Sequence, residues 1–183
     1  LVKSINNLKS LNIFSKVEYD LVTEDKDKKS LNIIVSEKPT GEIFASAGAG
    51  TQGSTIGFGV KENNFLGKNI SLDTNLRLND ETIKGAFSIV NPNWNYSEKT
   101  LIASIESSVT DRLTDYGYET GKTGVSLGSA WEQYDDVVFS PKIRSFYEKL
   151  DTNQSATANL KKQEGEYFDT SFAYGLDLDK RNQ

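Results

Sequence analysis

One pattern dominates the chain after Gly41: polar and apolar side chains alternate, and residues that favour turns interrupt the alternation at short intervals. Successive side chains of a β-strand point to opposite faces, so a period of two predicts strands rather than helices. The interruptions divide this part of the chain into eight predicted strands. Their predicted limits are residues 42–51, 54–63, 69–79, 81–91, 100–113, 121–133, 137–150 and 166–179.

The connections between these strands are mostly short and carry turn-forming residues, among them Gln52-Gly53, Asn79-Asp80 and Tyr116-Gly117. Short connections join neighbouring strands as antiparallel hairpins, and a series of hairpins forms an up-and-down meander. The longest connection spans residues 151–167 and is rich in Asn, Gln, Thr and Lys. The sequence therefore predicts a mainly β fold of about eight antiparallel strands.

The two faces of the predicted strands differ in polarity. In the fifth strand Leu101, Ile105 and Val109 share one face, whereas Ser104 and Glu106 share the other. A membrane barrel with a wet interior requires this division, because lipid and water select side chains on opposite faces. A soluble lipocalin-like barrel or a sandwich also alternates, but it needs a fuller apolar complement than the 36% found here.

The composition removes several classes of chemistry. The chain has no Cys and no His, which excludes disulfides, thiol catalysis and the commonest metal ligands. The acidic pairs Glu24-Asp25 and Asp135-Asp136 lack a third clustered ligand, so solvated turn charge is favoured over a calcium site. A net charge of -5 gives no general attraction for nucleic acid. We therefore expect no enzyme activity, no cofactor, no metal and no nucleic-acid partner.

A different pattern precedes Gly41. Val2, Ile5, Leu8 and Leu11 recur at three-residue spacing, which predicts an amphipathic helix. Two alternating segments, centred on residues 17–21 and 31–35, predict two strands separated by a charged turn. On pattern alone this is an αββ unit of a common two-layer kind. The alternation changes near Lys38, so the predicted domains are residues 1–38 and 39–183.

Several segments resemble, in order, motifs of the BamA-type outer-membrane assembly factors, which join POTRA modules to a β-barrel insertase. The segments are Asn7 to Val17 (a POTRA helix-to-strand corner), Val35 to Gly41 (the junction), Gly48 to Gly53 (a glycine-rich first barrel strand), and Glu62 to Lys68 and Ser88 to Trp94 (periplasmic turns). The resemblance covers the whole chain but weakens after Lys99. It implies the C-terminal part of an αββ POTRA module followed by about eight strands of an incomplete transmembrane up-and-down barrel.

The resemblance also suggests which residues matter. The POTRA-barrel junction is Glu37, Pro39, Thr40 and Gly41. The periplasmic turns contain Asn64, Phe65, Leu66, Gly67, Asn91, Pro92 and Trp94. The first barrel strand forms a strand-templating seam of Ile43, Phe44, Ala45, Ser46, Ala47, Gly48, Ala49, Gly50 and Thr51. A glycine-rich strand has few side chains to fix its register, so such a seam is weak and exposes backbone groups to an incoming strand.

The resemblance implies that the chain helps to insert barrel proteins into the Gram-negative outer membrane without nucleotide hydrolysis. Its expected partners are unfolded outer-membrane β-barrel substrates, accessory lipoproteins of an assembly complex, and outer-membrane lipid, with the N-terminal module in the periplasm. Alternatives are a two-partner secretion or TamA-type pore of the same superfamily, or a passive porin, which lacks an αββ module. The seam glycines have a simpler interpretation too, in which they only relieve crowding where the barrel closes.

The predicted strand order also orients the chain in the membrane. Residues 64–68, 92–99 and 134–137 are expected on the periplasmic side, and the loop at 151–167 on the outer surface. The family barrel has about twice the strands predicted here, so we expect a fragment without the Arg-Gly-Phe loop of the later half. The exposed edge near residues 17–21 is expected to be an ordinary strand edge and not a capture site.

Overall fold

The computed structural model of the chain describes residues 2–25, 28–50, 53–178 and 180. Its helices and strands before Gly41 are α1 (Val2–Ser10), β1 (Phe14–Asp25) and β2 (Lys28–Glu37). The strands that follow are β3 (Gly41–Gly50), β4 (Gly53–Phe65), β5 (Ile70–Asn79), β6 (Thr82–Asn91), β7 (Thr100–Arg112), β8 (Tyr118–Tyr134), β9 (Val137–Thr152) and β10 (Gly165–Leu178). A five-residue helix, α2 (Ala158–Lys162), lies in the longest connection. Neither helix in the described ranges is long and apolar enough to cross a membrane.

The described residues before Lys38, namely 2–25 and 28–37, form a small αββ unit. Strands β1 and β2 pair as an antiparallel hairpin, with Val17 opposite Val35 and Tyr19 opposite Ile33. Ile5 of α1 and Ile13, just before β1, are buried, at 4% and 5% exposure. The helix therefore packs its apolar side against the start of the hairpin, as the three-residue spacing predicts.

The remaining strands form one sheet in which every neighbour in space is also a neighbour in sequence. The order is β10-β9-β8-β7-β6-β5-β4-β3, with all pairs antiparallel. The predicted mainly β fold and its eight-stranded meander are confirmed. The sheet is open, since β3 and β10 each form an edge among the described residues.

The sheet has two ends, distinguished by their connections. At one end, called here the turn end, lie the connections 66–69, 92–99 and 135–136. At the other end, called the loop end, lie 80–81, 113–117 and 153–164. The loop end is tied together, because Asn153 donates from its side chain to Leu113 O (2.9 Å) and from its backbone to Gly117 O (2.8 Å). Gly117 has a φ of +77°, and a methyl group there would overlap the backbone of Ala156.

Cross-strand register places apolar and polar side chains on separate faces across the entire sheet. One row crosses all eight strands from Ile43 through Val60, Thr74, Phe87, Ile105, Val125 and Ser145 to Thr170. The adjacent row runs from Phe44 through Gly59, Asn75, Ala86, Glu106, Gly124 and Phe146 to Asp169. The first face is mainly aliphatic, aromatic or Thr, and the second is mainly small or charged.

The apolar face remains exposed. Phe168, Phe172 and Tyr174 of β10 each expose about 70% of their surface, at 71%, 70% and 69%. The buried hydrophobic residues of the described ranges are only Ile5, Ile13, Leu150 and Ala156. A soluble barrel or sandwich points its apolar face inward, whereas a membrane barrel presents that face to lipid. The arrangement fits the membrane interpretation.

Two local features differ from the predicted strand limits. Strand β8 begins at Tyr118, three residues earlier than expected, because the turn at residues 113–117 closes with Tyr116 N and Gly117 N both donating to Arg112 O (2.9 Å each). The predicted loop at 151–167 contains α2, whose first turn is capped by the Thr157 hydroxyl accepting from Leu160 N.

Candidate strand-addition site

Strand β3 is the edge on which the predicted seam residues lie. All ten of its residues are exposed, and Ile43 exposes 86% of its surface. From Ala45 to Gly50 no side chain is larger than Ser. The structure thus places Ile43 to Gly50 together on one open edge, while Thr51 lies outside the described residues.

The pairing of β3 with β4 determines which backbone groups the open edge presents. Asn63 N donates to Thr40 O (3.4 Å), which makes the next pair, Gly41 and Glu62, a non-hydrogen-bonded one. The register continues without a shift to Gly50, so the two kinds of pair alternate along the strand. The amides and carbonyls of the odd-numbered residues therefore point away from β4. These residues are Ile43, Ala45, Ala47 and Ala49.

The polar face of β3 rests on glycines of β4. Phe44 lies opposite Gly59, and a methyl group at Gly59 would overlap the Phe44 ring. Ser46 lies opposite Gly57, where a methyl carbon would lie 2.6 Å from the Ser46 hydroxyl. Each glycine leaves room for the side chain opposite it. Phe44 is the one aromatic side chain on this face of β3, and from Ser46 to Gly50 the face carries only Ser and Gly.

The start of β3 is fastened to the first turn by Glu62. Its carboxylate accepts hydrogen bonds from the Thr40 hydroxyl and from Asn64 N (2.6 Å for the latter). Asn63 adds a bond from its side-chain amide to Thr40 O (3.3 Å). Gly41 leaves space for this carboxylate, since a Cβ there would lie 3.2 Å from Glu62 Oε2. The junction and the first turn, predicted as separate elements, are thus brought together.

The junction is also fastened to the αββ unit. Lys38 N donates to Ile13 O (3.1 Å), and Lys38 Nζ donates to Asn12 Oδ1 (2.7 Å). Glu37 is the last residue of β2 and pairs with Phe14. Pro39 follows, and because proline has no amide hydrogen the β2 ladder cannot continue through it. Pro39 therefore lies between two anchored residues, Lys38 and Thr40.

The predicted turn residues shape the turn end of the sheet. Asn64 accepts from Asn69 N (2.8 Å) and from Gly67 N (2.9 Å), while Leu66 and Gly67 adopt φ of +57° and +68°. Phe65 ends β4 and exposes 40% of its surface.

The second turn is built in a similar way. Asn91 accepts from Asn93 N (3.1 Å), Pro92 follows it, and Trp94 N donates to Lys99 O (2.9 Å). Trp94 is half-exposed. The Asn residues of both motifs therefore form turns through their side-chain oxygens. The second turn joins β6 to β7 and lies apart from the junction contacts.

Three residues of this site were missed as individual candidates: Glu62, Gly57 and Gly59. Glu62 begins the turn motif quoted above, and the Gly-x-Gly pair of β4 is visible in the sequence. Their roles depend on which residue of β3 lies opposite, and that register is a long-range property. Among the described residues, no group of three or more carboxylates is arranged to hold a metal ion.

Comparisons with known proteins identify relatives of this sheet. A family profile described as "Omp85 superfamily domain" matches residues 64–183. The structure of BamA from Haemophilus ducreyi lacking POTRA domains 1–3 is similar at a TM-score of 0.74 and 19% identity, over 100% of this chain and 38% of that one. CdiB from Acinetobacter baumannii is similar at 0.57 and 14% identity, over 96% and 36%. No curated protein matches the chain. At these identities the structural likeness shows the fold, and the chain spans well under half the length of either structure.

Proposed function

The chain belongs to the Omp85 superfamily, and we propose that it forms the first half of a barrel that assembles and inserts other β-barrel proteins. Membership implies a location in the Gram-negative outer membrane and a role as a non-enzymatic insertase or translocator. The finer assignment is a BamA-type insertase, which works without nucleotide hydrolysis. Its partners in this proposal are unfolded barrel substrates, accessory lipoproteins of an assembly complex and outer-membrane lipid.

The free edge of β3 is the observation that carries this proposal. Its odd-numbered residues point backbone donors and acceptors outward, and their side chains after Ile43 are all Ala. In a complete barrel this edge would meet the last strand, and a seam of small side chains is weak enough to open and accept an incoming strand by β-augmentation. In lipid no water competes for these backbone groups, so each bond to an incoming strand is favoured. Substrate strands of varied sequence fit, since the recognition uses the main chain.

The proposal assigns residues 1–38 to the C-terminal part of a POTRA module and 39–183 to the first half of the barrel. The αββ order and the anchored junction at Lys38 support this division. Strand β3 begins at the turn end of the sheet, so the module lies at the end opposite the longest connection, 153–164. Long loops face outward in bacterial barrels, which supports a periplasmic module.

Proline substitution on β3 tests the free edge. In the complete gene product, Ala47→Pro removes an outward amide but leaves the β3–β4 ladder its hydrogen bonds, because edge strands tolerate proline where the amide faces outward. We expect a folded barrel in the membrane and a loss of other barrel proteins from the outer membrane. The readouts are the heat-modifiable gel shift of the protein itself and the amounts of its substrates.

Ser46→Pro is the matched control, since it removes an amide that points toward β4. We expect it to lower the yield of the folded barrel itself. Normal substrate assembly by a folded Ala47→Pro protein would contradict the proposal, because the outward amides would then not be used.

A translocation pore of the same superfamily is the second candidate. The fold that the chain shares with CdiB supports it. Such a pore would export its own partner and leave the assembly of other barrels unchanged in the Ala47→Pro strain. A passive porin is less well supported, because the αββ unit and its anchored junction have no role there.

A further inference from the structure

We infer that β3 has two registers on β4, two residues apart, and that the contact between Thr40 and Glu62 selects the one described above. The inference concerns the structure of the seam and stands apart from any substrate. Its consequence for substrate strands rests on the proposed function.

The side chains of β3 after Phe44 carry little information about register. From Ala45 to Gly50 the strand reads Ala-Ser-Ala-Gly-Ala-Gly, so a shift by two residues replaces Ala by Ala on the apolar face. A two-residue shift also keeps every side chain on its own face, whereas a one-residue shift reverses the faces. The outer part of β3 therefore accepts either register.

Strand β4 offers Phe44 two equivalent positions. In the described register the ring lies over Gly59, and Ser46 lies opposite Gly57. If β3 advances by two residues toward the loop end, Phe44 comes to lie opposite Gly57. Both positions are glycines on the same face, so neither has a side chain to obstruct the ring. The Gly-x-Gly pair is what makes the second register sterically possible.

The contacts at the start of β3 distinguish the two registers. Glu62 holds the Thr40 hydroxyl, and Asn63 donates to Thr40 O from both its backbone and its side chain. An advance of two residues moves the strand by about 7 Å and separates all of these groups. Lys38 ties the same segment to Asn12 and Ile13. A displacement of the αββ unit is therefore transmitted to the seam, and it changes the height of the free edge in the membrane.

Disulfide formation between introduced cysteines reports the register. Ala45 lies opposite Phe58 in the described register and would lie opposite Ile56 in the advanced one. Both are non-hydrogen-bonded positions, where the short Cα separation suits a disulfide. The complete gene product carries either A45C with F58C or A45C with I56C. Only the folded, heat-modifiable species is scored, and an I105C with V125C pair in β7–β8, which is also a non-hydrogen-bonded position, serves as the reference for oxidation.

In the otherwise unchanged protein we expect the 45–58 disulfide to form readily and the 45–56 disulfide to form at a low level. Glu62→Ala should raise the 45–56 disulfide about tenfold, since a hydrogen bond to a charged group is worth at least that factor. Thr40→Val removes only the hydroxyl and should act in the same direction, which covers the case in which Glu62→Ala does not fold. The 105–125 disulfide should not change.

Two glycine substitutions on β4 should have opposite effects. Gly59→Ala obstructs the described position of the ring and should raise the 45–56 disulfide. Gly57→Ala meets the Ser46 hydroxyl in the described register, which can rotate away, but it would obstruct the ring in the second register and should suppress the 45–56 disulfide in the Glu62→Ala background. Formation of the 45–58 disulfide alone in every background would overturn the inference. Glycine effects of the same sign would also overturn it. Neither readout depends on substrate assembly, which the Ala47→Pro experiment tests separately.

Discussion

The β3–β4 pair and the β8–β9 pair are both antiparallel hairpins, but they differ in strand length and in the side-chain contacts between their strands. Strands β8 and β9 contain 17 and 16 residues, whereas β3 has ten. Between β8 and β9, Lys122 pairs with Glu148 (3.2 Å) and Trp131 meets Phe139 edge-to-face at 5.1 Å. Between β3 and β4 the side-chain contacts concentrate at the turn end, near Thr40 and Phe44.

Both pairs use an aromatic ring laid over a glycine, and the surroundings of the ring differ. Phe146 covers Gly124 in the middle of the sheet and also receives Lys122 over its face at 4.8 Å. Phe44 covers Gly59 at the edge, with no strand beyond β3 among the described residues. The contact between ring and glycine is one of several side-chain contacts between β8 and β9, whereas it is one of few between β3 and β4. The β8–β9 pair thus has both a longer backbone ladder and more side-chain contacts than the β3–β4 pair.

The largest expected effect comes from filling the two glycines. Gly124→Val should destabilise the folded barrel by about 1–3 kcal/mol, because strands on both sides prevent β8 and β9 from yielding around the displaced Phe146 ring. Gly59→Val should cost less, because β3 is an edge strand and can shift. Urea unfolding of the complete gene product in detergent measures both. Equal losses would show that the edge is as constrained as the interior.

Removing the two rings should change stability less than filling the two glycines. It should change the register of β3 on β4 but not the register of β8 on β9. Phe146→Ala should lower stability by about 1 kcal/mol, through loss of the cross-strand contact and of the Lys122 cation–π interaction. The register of β8 on β9, measured by cross-linking of introduced cysteines, should stay unchanged. The Lys122–Glu148 ion pair and the Trp131–Phe139 contact remain and still fix it. Phe44→Ala should change stability less and broaden the β3 register. A single β3 register after Phe44→Ala would show that the ring does not specify it.

The smallest effect concerns the ion pair of Lys122 and Glu148, which are about 45% and 37% exposed. A double-mutant cycle with Lys122→Ala and Glu148→Ala should give a coupling of about 0.5 kcal/mol, weakened by salt. The Lys84–Glu106 pair on the same face offers a matched control. A coupling above about 2 kcal/mol would indicate that this pair, rather than the aromatic contacts, holds β8 to β9.

The fold could be read from the sequence where the signal is local. Alternation and turn residues were enough for the eight strands, their order and the αββ unit, because consecutive hairpins need no long-range information. Helix α2 was missed, since five residues are too few to show a helical period. The start of β8 was placed late, since Tyr116-Gly117 marks a turn without marking where pairing resumes.

The candidate site was predicted only in part. The seam strand, the junction and the first turn were each predicted from segments that resemble the family motifs. Their connection through Glu62 was not, because it joins residues 22 positions apart through a carboxylate and a hydroxyl. Gly57 and Gly59 are likewise informative only once Phe44 and Ser46 are known to lie opposite them.

The strictly sequential order of the sheet has a consequence for how such a chain forms. Every pairing from β3 to β10 joins strands adjacent in the chain, so no long loop must be closed before the contacts form. A topology of low contact order can form hairpin by hairpin, with each new hairpin adding to the edge left by the previous one. The sheet could therefore grow by the same elementary step, addition of a strand to an edge, that its own free edge is proposed to perform for others.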